Sequence, residues 1–303
     1  MNTRDKGIYQ KFNVTRADGR HAAGEKHEAC DYFVLDLTHD RHSYPALLAY
    51  AESCKEEYPQ LCEELVAKAT GILSSTWQFT TVPETTLPSG LIVPAFGVGT
   101  YAASKGPMET LMIDEKGAPW VDISYHDARA ACSAAGLGLL TESQALAIAH
   151  NIVQQAENWT GGAVGGGKVF QGLHTGTVSE GQPGSYISSD PEERSWHVLS
   201  NGERIYHFAG NVYSWIFDDV QGDAAGVVDR TIAADSVSLA TAPYPSRQFG
   251  MGWRPDGARD WSGRALFRGG CWNGGVYAGV FGLNHAHPSY AYGCVGFRCT
   301  KTL

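Results

Sequence analysis

The sequence predicts an α+β fold: two central helices and many short strands held by long irregular loops, preceded by a small N-terminal α/β extension. Three observations predict it. The chain has 36 glycines and 8 tryptophans but only 18% charged residues, a profile of loop-rich aromatic packing and not of a coiled coil or a disordered chain. Two capping signals open helices near the middle of the chain. Beyond residue 160, glycine-rich pieces such as GGAVGGG and SEGQPGS separate short apolar runs, as strands joined by irregular loops would read.

The chain's 303 residues suffice for one large or two modest domains. A shift in composition near residue 70 divides an extension, residues 1–70, from a domain over residues 71–303. In the extension YFVLDL, Tyr32 to Leu37, predicts a buried strand. Pro45 opens a helical stretch, where its missing N–H costs little. Leu47, Ala51, Cys54, Tyr58, Leu61 and Leu65 then recur at alternating spacings of four and three, one apolar stripe on a helix. Pro59 interrupts it and predicts a kink or two short helices. In the larger part Ser124-Tyr125-His126-Asp127 predicts a helix ending near Gly136. Thr141-Glu142-Ser143-Gln144 predicts a second one through LAIAHNIV.

Charge and composition exclude several classes. A net charge of −9 makes a nucleic-acid backbone an unfavourable partner. No apolar run is long enough to span a bilayer. The start, MNTRDKGIYQKFNV, lacks the apolar core of a secretory signal. Seven thinly spread cysteines do not read as a secreted disulfide framework. The expectation is a soluble protein, cytoplasmic or virion-associated.

Four segments then stand in order: PWVDISYHDARAACSAAGLGLLTESQALAIA from Pro119, AGNVYSWIFDD (209–219), FRGGCWN (267–273) and VGFRC (295–299). Together they resemble the formylglycine-generating enzyme family, which carries a variant of the C-type lectin fold. By this resemblance the second segment is similar to G-N-V-W-E-W and the third to R-G-G-S-W. Read from the residues alone, Trp215, Trp272 and Phe297 are scaffold, large bodies beside glycines suited to close strand packing. Arg268 and Arg298 are read as forks serving loop carbonyls. The resemblance further implies that Cys132 and Cys299 lie close together, and a reducing cytosol would keep them as packed thiols.

The resemblance also locates where catalysis would sit. Oxidase members use two cysteines five positions apart after R-G-G-S; aligned on Gly269-Gly270, those positions fall on Gly274 and Gly279. Neither can bind copper or form a thiolate. Cys271 reads as solitary and Cys294 lies at the wrong spacing. His39-Asp40-Arg41-His42 does not match the histidine cluster of the iron-dependent sulfoxide synthases of the same superfamily. The expectation is therefore no enzyme and no catalytic residue, with a metal- or thiol-dependent oxidase of this superfamily as the alternative. Calcium is a weaker implication: family members hold it through the G-N-V-W-E-W loop, but Ser214 replaces the glutamate. Asn211, Asp218 and Asp219 remain as oxygen donors. No resident cofactor and no metal ligand is expected. His27, Cys30, His39 and His42 lack the paired spacing of a zinc site and read as packing or surface residues.

Residues 273–296, NGGVYAGVFGLNHAHPSYAYGCVG, contain no Asp, Glu, Lys or Arg. Tyr, His, Asn, Ser and Gly alternate with apolar anchors, the mixture of a binding surface of rigid aromatics and adaptable polar groups. Lys, Glu, Gln, Met and Trp are all absent, an outcome of about one in fifty at the chain's own composition. These five cannot be encoded by codons ending in a pyrimidine. The pattern R-G-G-x-W-x-x-G-x-x-A-G-V-F-x-L, ending in G-F-R-C, resembles the variable proteins of diversity-generating retroelements, in which AAY codons are mutagenised over a lectin-like ligand surface. The resemblance covers the C-terminal domain, with the variable region at about 267–299. It implies ligand-binding roles for Cys271, Asn273, Val276, Tyr277, Gly282, Asn284, His285, His287, Tyr290, Tyr292 and Cys294. Trp272, Ala278, Gly279, Val280, Phe281 and Leu283 are the implied fixed scaffold. The function expected is ligand binding and display, toward a protein or other macromolecule of unknown identity. No nucleic acid or membrane insertion is expected, and attachment would run through residues 1–70.

Overall fold

A computed structural model describes residues 11–40 and 42–303. The opening Met1–Gln10 and Arg41, on which parts of the leader and histidine readings fall, lie outside the described residues. The chain divides into two compact units, Met1–Ile72 and Leu73–Leu303.

In the first unit residues 11–40 are irregular and turn-rich. Tyr32 to Leu37 is not the buried strand that its composition predicts: it is irregular, and Phe33 is 78% exposed. An apolar run becomes a strand only beside another edge, and among the described residues no strand pairs with this one. Asp36 instead closes a local turn, its side chain accepting the N–H groups of Thr38 (2.9 Å) and His39 (3.0 Å), a competing local bond that aspartate makes readily. Two helices follow, α1 (Ser43–Cys54) and α2 (Pro59–Ser74). Pro59 takes the first position of the second, where its ring is tolerated. The break re-phases the apolar stripe: Tyr58 and Leu61 are 52% and 37% exposed, while burial in α2 falls on Ala69 and Leu73.

The second unit carries the helices that the capping signals predict. In α3 (Tyr125–Ala134) the Ser124 hydroxyl accepts the Asp127 N–H. At its other end Leu137 N–H bonds Cys132 O and Gly136 N–H bonds Ser133 O, a Schellman turn with Gly136 at φ +71°. In α4 (Glu142–Val153) Thr141 and Gln144 form a reciprocal capping box. Ala145 through Ala149 are all buried, so α4 is a central helix whose alanines let neighbouring elements approach closely.

Two four-stranded sheets flank these helices. The first has the order β1 (Phe79–Val82), β4 (Phe96–Gly99), β14 (Cys299–Thr302), β7 (Gly138–Leu139) and is antiparallel throughout. The second has the order β12 (Leu283–Ala286), β11 (Ala265–Arg268), β10 (Tyr213–Ile216), β13 (Val295–Phe297), with β10 and β13 parallel. Short hairpins complete the unit: β2 (Thr85–Thr86) with β3 (Ile92–Val93), β5 (Ser104–Lys105) with β6 (Leu111–Met112), and β8 (Trp196–Val198) with β9 (Arg204–Tyr206). The result is the α+β class predicted, with short strands, two principal helices in this unit and long loops.

The second sheet separates two cores. Leu266, Ile216 and Leu283 face the α4 core; Trp215, Phe267, Val295 and Phe297 face the α3 core. The scaffold reading holds for Trp215, fully buried with its indole N–H on Ile123 O at 3.0 Å, and for Phe297. Arg268 reaches from β11 to the first turn of α4, where its guanidinium grips Glu142 at 2.7 and 2.5 Å and also donates to the Phe281 and Ser238 carbonyls. Arg298 donates to the carbonyls of Gly99, Thr100 and Tyr206. Cys132 and Cys299 are free thiols, fully buried, with sulphurs 2.7 Å apart.

Candidate recognition surface

The candidate surface is built on two loops of the second sheet. One, residues 269–282, joins β11 to β12; the other, residues 287–294, joins β12 to β13. The first is knitted to its surroundings through the backbone. Gly279 N–H donates to Gly269 O, Gly269 N–H to Gly282 O, Trp272 N–H to Asn211 O, and Phe281 N–H to Met251 O. Gly270, at φ +105°, admits no other residue: a Cβ there would lie 2.3 Å from Ala278 Cα. Beneath the loop Ala278, Val280, Phe281 and Leu283 are completely buried. Their burial anchors a turn on which Asn273, Val276 and Tyr277 are exposed.

The sequence-predicted positions fall into three environments. Asn273, Val276, Tyr277, His287, Tyr290 and Tyr292 are exposed, Val276 and Tyr290 each to 58%. Asn284, His285 and Cys294 are half-buried. Cys271 and Gly282 are buried. Gly282 presents no surface: a Cβ there would sit 3.1 Å from Gly279 O and 3.3 Å from Tyr277 O, so the position serves loop closure. Trp272, expected in the buried scaffold, is half-buried; only its backbone is fixed, by the bond to Asn211 O.

Side-chain contacts bring these residues together in clusters. His287, Tyr290 and Tyr292 form an aromatic run with ring centroids 5.2 and 6.3 Å apart. Tyr277 lies under the Arg247 guanidinium at 5.7 Å. His285 stacks on Trp261 at 4.2 Å, and burial together with Arg264 pushes its imidazole below the ordinary range, toward the neutral form. Asn284, Cys271 and Cys294 surround Tyr213, whose phenol is pushed up by burial and by the two thiols. The cluster offers ring faces and small polar groups beside the Arg247 guanidinium.

Tyr213, Arg247 and Trp261 escape a reading confined to residues 273–296. The signal available for Tyr213 was its place in the second motif, two positions before the buried Trp215. The Cys271 thiol donates to Asn273 Oδ1 at 3.1 Å, and Cys271 and Cys294 are both free cysteines.

The oxygens considered for calcium are engaged by the chain itself. Both ends of the Asn211 amide bond the Gln182 backbone at 2.8 Å. Asp218 accepts the N–H groups of Val220 and Gln221 and the Gln221 amide, and Asp219 accepts from Ser143. This donor set does not fit a hard cation that needs six or more free oxygens. Among the described residues no three His, Cys, Asp or Glu side chains gather to hold a metal. No helix among them is long and apolar enough to cross a membrane.

No family model and no curated protein matches the sequence. Among solved structures the chain is similar to Treponema denticola variable protein 1, at 13% identity and TM-score 0.40, over 75% of this chain and 95% of that one. It is also similar to the U1 variant of the Major Tropism Determinant (13%, TM-score 0.34, 75% and 55%) and to PvdO from Pseudomonas aeruginosa (16%, TM-score 0.34, 75% and 92%).

Proposed function

We propose that the chain is a non-catalytic binding protein that recognises a macromolecular ligand through the loops over residues 271–294, and that a retroelement diversifies this surface. The observation that carries the reading is the division of labour within one segment. Ala278, Val280, Phe281 and Leu283 are 0% exposed, while Val276, Tyr277, Tyr290 and Tyr292 are 38–58% exposed. A surface whose side chains exchange without touching the core is what diversification requires. Tyrosines supply large rigid contact area at low entropic cost and are the expected hot spots. Glycines at positions 274 and 279 support the absence of oxidase chemistry. Recognition here needs no cofactor, and residues 1–70 would serve as the attachment region.

Selection tests this directly. A displayed library randomised at Asn273, Val276, Tyr277, His287, Tyr290 and Tyr292 should yield folded binders to an arbitrary small protein such as lysozyme. A library randomised at Ala278, Val280, Phe281 and Leu283 should yield none. Folded clones lost equally from both libraries would overturn the reading. In the flanking DNA, a near-copy of the segment encoding residues 267–299 beside a reverse transcriptase gene is the expected genetic counterpart.

A further inference from the structure

Residues 246–253 form a strap along the first displayed loop. Trp253 N–H donates to Tyr277 O, Phe281 N–H to Met251 O and Leu283 N–H to Trp253 O. Ser246 fixes its other end, the hydroxyl donating to Arg254 O and accepting the Arg254 N–H. The strap lies outside residues 267–299, so diversification of that segment leaves it constant.

Four strap residues have left-handed backbone: Arg247 (φ +65°), Phe249 (+53°), Gly250 (+77°) and Gly252 (+79°). Glycine stands where the backbone is crowded. A Cβ at Gly250 would lie 2.3 Å from Val169 O, and one at Gly252 2.9 Å from Gly279 N. The exposed positions carry large side chains instead, Arg247 and Phe249, the latter 41% exposed. Glycine would adopt that backbone without strain, and strained residues of this kind cluster at ligand-binding sites.

Charge identifies the ligand. The Arg247 guanidinium sits over the Tyr277 ring at 5.7 Å, and among the described residues it makes no ion pair and no side-chain hydrogen bond. Residues 273–296 contain no Asp or Glu, although the chain carries a net charge of −9. The acid that reaches the displayed segment, Asp122, backs the other loop, where its N–H donates to Tyr292 O.

We propose that Arg247 and Phe249 are a constant part of the recognition surface and direct it to proteins that present a carboxylate beside an apolar side chain. The proposal rests on the binding reading above. A guanidinium whose face covers a ring keeps its edge for a carboxylate, which it grips with two parallel N–H donors. Phe249, packed on Tyr244 at 4.8 Å, supplies the apolar ledge beside it.

The test pans the six-position library described above, displayed on the full chain, against two proteins of one fold and opposite charge. These are α-lactalbumin, which is acidic, and lysozyme, which is basic. In an Arg247→Gln library the yield of α-lactalbumin binders should fall about tenfold, the worth of a charge-assisted hydrogen bond, while lysozyme binders persist. Lys55→Gln, in the first unit, lowers the net charge equally and should change neither yield. Phe249→Ser should lower both yields. Arg247→Gly should lose the same binders as Arg247→Gln yet melt at or above the parent temperature, because the left-handed strain is relieved.

Equal losses on both targets, or no loss on either, would overturn the carboxylate assignment and leave the binding reading standing. Melting below the parent in both Arg247 variants would make the side chain structural and overturn it as well. Retention of the parent on immobilised heparin, abolished by Arg247→Gln, would point to a sulfated polysaccharide and overturn the protein partner. A parent library that binds neither target would sink the binding reading, and this proposal with it.

Discussion

Arg268 and Glu142 lie 126 residues apart in sequence and meet inside the second unit, 3% and 0% exposed. Removing one member strands a charge in the core, so Arg268→Met or Glu142→Gln should destabilise by about 3–5 kcal/mol in urea melts. Arg268→Met combined with Glu142→Leu should recover most of that loss, because an apolar pair leaves no unpaired charge. Glu193 behaves differently. Burial pushes its carboxyl up, but the Ser188 hydroxyl, the His174 and Thr175 N–H groups and the Thr177 hydroxyl outweigh burial and hold it at about 2, below the ordinary 4.5. A carboxyl depressed on folding contributes stability that is fully present above its unfolded value and is lost as pH falls through the folded one. Chemical-denaturation midpoints should therefore decline between about pH 5 and pH 2, and Glu193→Gln should flatten that decline while lowering the plateau.

At the scale of elements, the two central helices are closed by devices of known worth. Thr141→Ala removes the hydroxyl that accepts the Gln144 N–H and should cost about 1 kcal/mol. Gly136→Ala meets no atom within 4 Å, so its penalty comes from the left-handed backbone alone, about 1–2 kcal/mol. Similar losses with unchanged helical circular dichroism would confirm that both act at helix ends. Helix breaks were equally legible: Pro59 opens α2 as expected. The predicted strand at Tyr32 to Leu37 failed because a strand is a property of a pair, and an apolar run carries no record of its partner.

For the whole molecule, buried and exposed aromatic side chains contribute separately to stability. Replacing Tyr277, His287, Tyr290 and Tyr292 together by Ser changes exposed side chains, each worth within about 0.5 kcal/mol, and should shift the melting temperature by a few degrees. Trp215→Ala empties a site that is 0% exposed and ringed by Tyr125 and Phe267, and should cost about 3–5 kcal/mol. Thermal melts of the two variants check the separation; equal collapse would mean that the four surface rings belong to the core. Trp272 is the wrong tryptophan for this comparison, since it is half-buried. Its motif marks a fixed backbone position, not the depth of its ring.

The sequence by itself determined what short-range physics encodes. Thr141 sees Gln144, Ser124 sees Asp127 and Gly136 closes on Ser133, all within one helical turn, so composition and spacing suffice. Ala278, Val280, Phe281 and Leu283, separated only by Gly279 and Gly282, likewise read as an anchored apolar run, and all four are fully buried. Tertiary structure alone decided which distant groups meet: Arg268 with Glu142 and His285 with Trp261. It also decided that Gly282 is enclosed. These contacts depend on the register of β10, β11, β12 and β13, and register is set by packing two cores at once, a global constraint that no single segment of the chain contains.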